Sequence, residues 1–76
     1  MDIREDLLQI LTEYTDGRIT SVNPDDVMTA DLGLNSFELF DIVCAIEDEF
    51  GVSISDRDLM KMVTVGDLVS FIEKNA

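Results

Sequence analysis

The sequence predicts an all-α fold, a small four-helix bundle of three longer helices and one short third helix, with a long loop between the first two. Three observations lead there. Apolar residues recur at helical spacing in three segments, and a helix-start signature stands before each of four. The one strand-like run, Val52-Ser53-Ile54, has no second strand to pair with and is read as a connector. From Asp2 to about Tyr14 the apolar positions Ile3, Leu7, Ile10, Leu11 and Tyr14 form one stripe, Asp2 and Glu5 read as an N-cap with its capping-box partner, and Gly17 lies where a terminator belongs. From Arg18 to Asn35 no period is sustained. Asn23-Pro24-Asp25-Asp26 reads as the opening of a single helical turn with Pro24 in its first position, and Ile19, Val22, Met28, Leu32 and Leu34 are expected to peg the loop to the core. Loops of this length in compact domains are often functional.

The second helix is predicted over Ser36 to Phe50, capped by Ser36 and ended by Gly51. Leu39, Ile42, Val43, Ile46 and Phe50 fall on one narrow stripe and must face the core. The other side interleaves Phe37, Phe40 and Cys44 with Asp41, Glu47 and Asp48. Ser55 with Asp58 signals a short third helix through Leu59, Met60 and Met62, ending near Met62 or Val63. Thr64 with Asp67 repeats the signal before a last helix whose stripe is Val65, Leu68, Val69 and Ile72. No repeat, linker or low-complexity tract interrupts residues 1–76, which are read as one domain.

Composition narrows the function classes. Five basic and seventeen acidic residues among 76 give a formal charge of −12, which repels phosphate backbones and anionic headgroups and favours encounter with basic protein surfaces. Nucleic acid is not an expected partner. The absence of histidine removes Ser/His/Asp and Cys/His nucleophile pairs and imidazole ligands, and one cysteine supplies neither a zinc cage nor an internal disulfide. No side chain offers a base poised near neutral pH, so an enzyme is not expected. The first residues lack a basic start and apolar stretch, and the longest apolar run, Ile42 to Ile46, is too short to span a bilayer, so no membrane insertion and a cytoplasmic location are expected.

Ser36 is the residue that could bear chemistry. At a helix start, free backbone N–H groups and the positive end of the dipole favour a bound or covalently attached phosphate. Taken alone, a serine before an apolar helical run is an N-cap contributing about 1 kcal/mol. The surrounding string decides between the two. Asp31-Leu32-Gly33-Leu34-Asn35-Ser36-Phe37, followed by Ile46-Glu47-Asp48-Glu49-Phe50-Gly51-Val52-Ser53-Ile54, resembles the acyl carrier proteins, whose motif is Asp-Ser-Leu after a D-x-G segment. The likeness extends over nearly the whole chain, from the first helix to Thr64-Val65-Gly66-Asp67-Leu68 at the last.

The resemblance implies that Ser36 receives 4′-phosphopantetheine from coenzyme A through a phosphopantetheinyl transferase, with Asp31, Gly33 and Asn35 forming the attachment motif, and that acyl groups travel as thioesters on the arm. It further implies partner recognition by Phe37, Phe40, Asp41, Cys44, Glu47 and Asp48 on the outward side of the second helix. Partners would be acyl-transferring, condensing and reducing enzymes with basic docking patches, met by a monomeric carrier. The competing reading of that face is a helix buried on most sides with a solvated acidic fringe. Two positions depart from the motif. Asn35 stands where Asp is usual, which removes a charge beside the phosphodiester but keeps a hydrogen-bonding side chain, and Phe37 replaces the common Leu.

Met28, Leu59, Met60 and Met62 read either as the lining of a space between the second and third helices that admits an acyl chain or as gap-filling in a small core. Cys44 reads as a packing or contact residue, since carboxylate neighbours disfavour its thiolate. Asp25-Asp26 and Glu47-Asp48-Glu49 do not follow calcium-loop spacing, and no metal is expected. The expected function is a carrier of fatty acid biosynthesis. Its rivals are a dedicated carrier of a polyketide, aminoacyl or lipid-modification pathway and an unmodified acidic module that only binds proteins.

Overall fold

The computed structural model describes residues 2–76 as four helices: α1 (Ile3–Tyr14), α2 (Ser36–Phe50), α3 (Asp56–Lys61) and α4 (Val65–Asn75). α1 packs on both α2 and α4. Leu7, Leu11, Ile42, Ile46 and Ile72 are the largest fully buried side chains, contributed by all three long helices, so the apolar stripes meet as their spacing demands. α3 buries none of its residues and lies on the rim.

α1 starts where Asp2 Oδ1 accepts from the N–H groups of Arg4 and Glu5. The predicted capping box is incomplete, because among the described residues Glu5 does not bond back to Asp2. Tyr14, predicted on the core stripe, is 43 % exposed. Thr15 takes the buried place instead: its hydroxyl donates to the Leu11 carbonyl at 2.6 Å and accepts from the Ile19 N–H at 3.3 Å. One turn earlier, Thr12 Oγ1 donates to the Ile19 carbonyl at 2.6 Å. The chain thus leaves α1 through left-handed Asp16 and Gly17 and is stitched at once to the helix it has left.

In the long loop, Ile19, Met28 and Leu34 are buried and Val22 and Leu32 pack against the core, as the peg reading requires. Pro24 does not open a helical turn. Asp26 N–H donates to the Asn23 carbonyl at 3.0 Å, closing a β-turn with Pro24 at its second position, where the fixed φ of proline fits. A helix cannot follow, because the next backbone groups pair across the molecule: Val65 N–H donates to the Asp26 carbonyl, Met28 N–H to the Val63 carbonyl, and Gly66 N–H to the Pro24 carbonyl at 2.8 Å. Gly66 permits that approach, since a Cβ there would stand 3.0 Å from the Pro24 oxygen.

α3 and α4 begin with the capping boxes their sequences predict, Ser55 with Asp58 and Thr64 with Asp67. α3 stops at Lys61, slightly before the predicted end, and Met62 turns inward as its buried C-cap. No helix among the described residues is long and apolar enough to cross a membrane.

Candidate functional site

The start of α2 is organised one residue earlier than its sequence suggests. Asn35, not Ser36, is the N-cap: Asn35 Oδ1 accepts from Glu38 N–H at 2.8 Å, and Glu38 Oε1 accepts from Asn35 N–H at 3.2 Å. The physical reason lies three residues on. A cap at Asn35 puts Glu38 at the position that completes the box, whereas a cap at Ser36 would put Leu39 there. Ser36 therefore occupies the first helical position, is exposed, and its hydroxyl makes no hydrogen bond among the described residues. The backbone N–H groups of Ser36 and Phe37 have no helical carbonyl four residues before them, the first such bond running from Leu39 N–H to the Asn35 carbonyl, and are free to meet an anion.

Of the other predicted motif residues, Gly33 has φ 65°, a left-handed turn that brings the chain round to the cap. Asp31 is engaged within the connector. Its Oδ2 accepts from Val27 N–H at 2.7 Å while its own N–H donates to the Val27 carbonyl at 2.8 Å, closing a loop inside the connector. Asp31 and Gly33 thus shape the approach to Ser36, with buried Leu34 anchoring it between them and the helix.

Sequence reasoning missed Arg18. Its guanidinium forks onto Glu38 at 3.0 and 3.2 Å and reaches the Gly33 carbonyl at 3.4 Å. The Arg18 bond, with the Asn35 N–H second, holds the Glu38 carboxyl below the ordinary carboxylate range. With Asn35 neutral and Glu38 paired, the turn around Ser36 carries little net charge in a chain of −12.

The outward stripe of α2 is as predicted at most positions. Phe37 and Phe40 are 84 % and 68 % exposed, with Asp41, Cys44 and Asp48 exposed along the same face. The alternative of a helix buried on most sides is excluded by those two rings. Glu47 differs: it is half-buried, and its Oε2 accepts from Ile54 N–H at 2.8 Å, tying the connector before α3 to α2. Of the two readings of the methionines, core filling describes Met28 and Met62, which are buried, while Met60 is 83 % exposed. A cleft of about 350 Å³ lies at the first turns of α1, walled by Leu7, Leu8, Val22, Pro24, Val65 and Val69, at the opposite end of α1 from Arg18.

One pH effect follows from this geometry. Glu38 is held down by Arg18, and Asp67 by the N–H groups of Thr64 and Val63, so both protonate at lower pH folded than unfolded. Their contribution is present above the unfolded values and is lost as pH falls through the folded ones. The melting-temperature gap between wild type and Glu38→Gln/Asp67→Asn should be widest near pH 7 and close on titration into the acid range. A gap that stays constant with pH would show that these carboxylates do not act through their charge.

The family model described as "Phosphopantetheine attachment site" matches residues 5–72. An acyl carrier protein of Solidesulfovibrio magneticus is 39% identical over 74 residues, covering 97% of this chain and 95% of its own. That of Helicobacter pylori strain G27 is 35% identical over 75 residues, covering 99% and 96%. A solved structure of a candidate acyl carrier protein from Mycobacterium tuberculosis superposes with a TM-score of 0.87 at 27% identity, over 96% of this chain and 97% of that one. The match of the family model over most of the chain, the relatives' identity along nearly its whole length and the shared fold agree: the chain belongs to the acyl carrier protein family, whose members are carriers bearing covalent 4′-phosphopantetheine and not enzymes.

Proposed function

We propose that Ser36 is the attachment residue for 4′-phosphopantetheine and that the chain carries acyl intermediates in fatty acid biosynthesis as a cytoplasmic monomer. The observation that carries this reading is the exposed Ser36 hydroxyl, left free because Asn35 has taken the cap. The residues fit the group. Two unpaired N–H groups at the helix start face a phosphodiester favourably, Asn35 adds no charge beside it, and Arg18 neutralises Glu38. When attached, the group supplies a flexible thiol that holds acyl chains as thioesters. The protein's own residues do the rest: the start of α2 fixes where the arm is rooted, and a small body lets one covalently held intermediate reach successive enzymes at high effective concentration.

Phe37 and Phe40 give the short-range apolar contact with those enzymes, while Asp41 and Asp48 steer onto basic patches. Glu47 contributes its remaining oxygen to the same field. A second reading is favoured by the neutral Asn35 and the two exposed rings: a dedicated carrier of a polyketide, aminoacyl or lipid-modification pathway, matched to partners with less basic surfaces. Reconstitution separates them. The modified protein, supplied with the acyl-transferring, condensing and reducing enzymes of its host's dissociated fatty acid synthesis, should support repeated chain extension. Modification without any loading by those enzymes would transfer the assignment to the specialised pathway.

A further inference from the structure

Arg18 and Glu38 are twenty residues apart, yet they form the one ion pair among the described residues, in a chain with seventeen acidic side chains. Most exposed pairs contribute little, but a forked guanidinium is the exception, because its planar donors match both carboxylate oxygens and are already oriented. Here the fork is part of a longer chain of bonds. Nη1 and Nη2 hold the two Glu38 oxygens, Nη2 also holds the Gly33 carbonyl, and Glu38 and Asn35 exchange bonds with each other. The segment enclosed, Gly33 to Glu38, contains Ser36 and enters through a left-handed glycine, a soft point of the backbone.

We propose that Arg18 is a positioning residue for the modification of Ser36, clamping Gly33 and Glu38 so that the serine is presented in the conformation a phosphopantetheinyl transferase must receive. The proposal rests on Ser36 being the attachment residue. Without the clamp the Gly33–Asn35 turn opens locally, and the transferase meets a smaller fraction of competent molecules. Arg18 also cancels the Glu38 charge beside the hydroxyl that an anionic phosphate must approach.

The test compares wild type, Arg18→Gln, Arg18→Lys, Glu38→Gln and the Arg18→Gln/Glu38→Gln double variant with coenzyme A and a transferase, at a temperature where circular dichroism shows all of them folded. Modification is followed by mass and mapped by peptide. Arg18→Gln should lower kcat/KM about fivefold, chiefly through a higher apparent KM for the carrier, and the double variant should be no slower than the worse single one, as members of one unit behave. Arg18→Lys keeps the charge but not the fork and should recover less than half of the loss. Amide exchange should quicken from Gly33 to Glu38 and stay unaltered in α4. A lowered kcat/KM with exchange from Gly33 to Glu38 unaltered would make Arg18 a contact for the transferase, and unchanged rates and exchange would remove it from the reaction; either overturns the proposal. Wild type unmodified, or modified elsewhere, would overturn the Ser36 assignment itself and is read before any variant is compared.

Discussion

Ser36→Ala should abolish modification completely while leaving the fold and its melting temperature nearly unchanged. The expectation of an all-or-none effect follows from the local structure. Ser36 is at the first helical position, its side chain makes no hydrogen bond among the described residues, and the cap it was predicted to supply is supplied by Asn35. Alanine is at least as good a helix former as serine, so the exposed substitution removes an oxygen and little else. Had Ser36 been the cap, the same change would cost about 1 kcal/mol. The denaturation curve thus separates the two roles within one variant. An activity assay of the same variant separates a carrier from an unmodified interaction module, for which Ser36→Ala would leave biological activity intact.

The largest effect on stability is expected from Ile46→Ala. Ile46 is fully buried in α2, inside the cluster that joins α1, α2 and α4. Truncating such a side chain costs about 2–5 kcal/mol through lost transfer energy and the cavity left behind. A domain of this length has a total stability of roughly 4–11 kcal/mol, so one substitution removes a large share of it. Urea denaturation should show a lower midpoint at an unchanged slope. A loss below about 1 kcal/mol would mean that the bundle repacks around the gap and that α2 is held less firmly than its burial implies.

The helices were legible because their information is local. The stripe Val65, Leu68, Val69 and Ile72, and the boxes of Ser55 with Asp58 and Thr64 with Asp67, lie within two turns of sequence and were realised. What was misread depended on partners that apolar spacing does not register, some of them distant. The cap slid from Ser36 to Asn35 because Glu38 completes a box there and Arg18, twenty residues away, holds Glu38 in place. The Asn-x-x-Glu spacing was present in the string, but the pairing that secures it was not. Pro24 became the corner of a β-turn because Asp26 and Met28 bond to the strand of backbone that opens α4. Met60 faces solvent because a six-residue helix with no buried side chain has no stripe from which its facing could be read. Thr15 replaced Tyr14 inside because its hydroxyl finds the Leu11 carbonyl, a bond that apolar spacing does not register.

The outward face of α2 was legible in composition, and its apolar character proved stronger than its acidity suggested. Two exposed rings near the start of α2 are an unusual apolar load for so small a surface, which supports the contact role proposed for it. Glu47 shows the limit of reading acids as a uniform field, since one of its oxygens is committed to the backbone of the next connector.

The central claim is tested most directly by isolating the protein from its own host and measuring its intact mass with peptide mapping. The expected result is a population carrying the phosphopantetheine increment, with or without acyl cargo, all of it on the peptide that contains Ser36. A chain of unmodified mass under every growth condition, or an increment mapped to any other residue, would contradict the account.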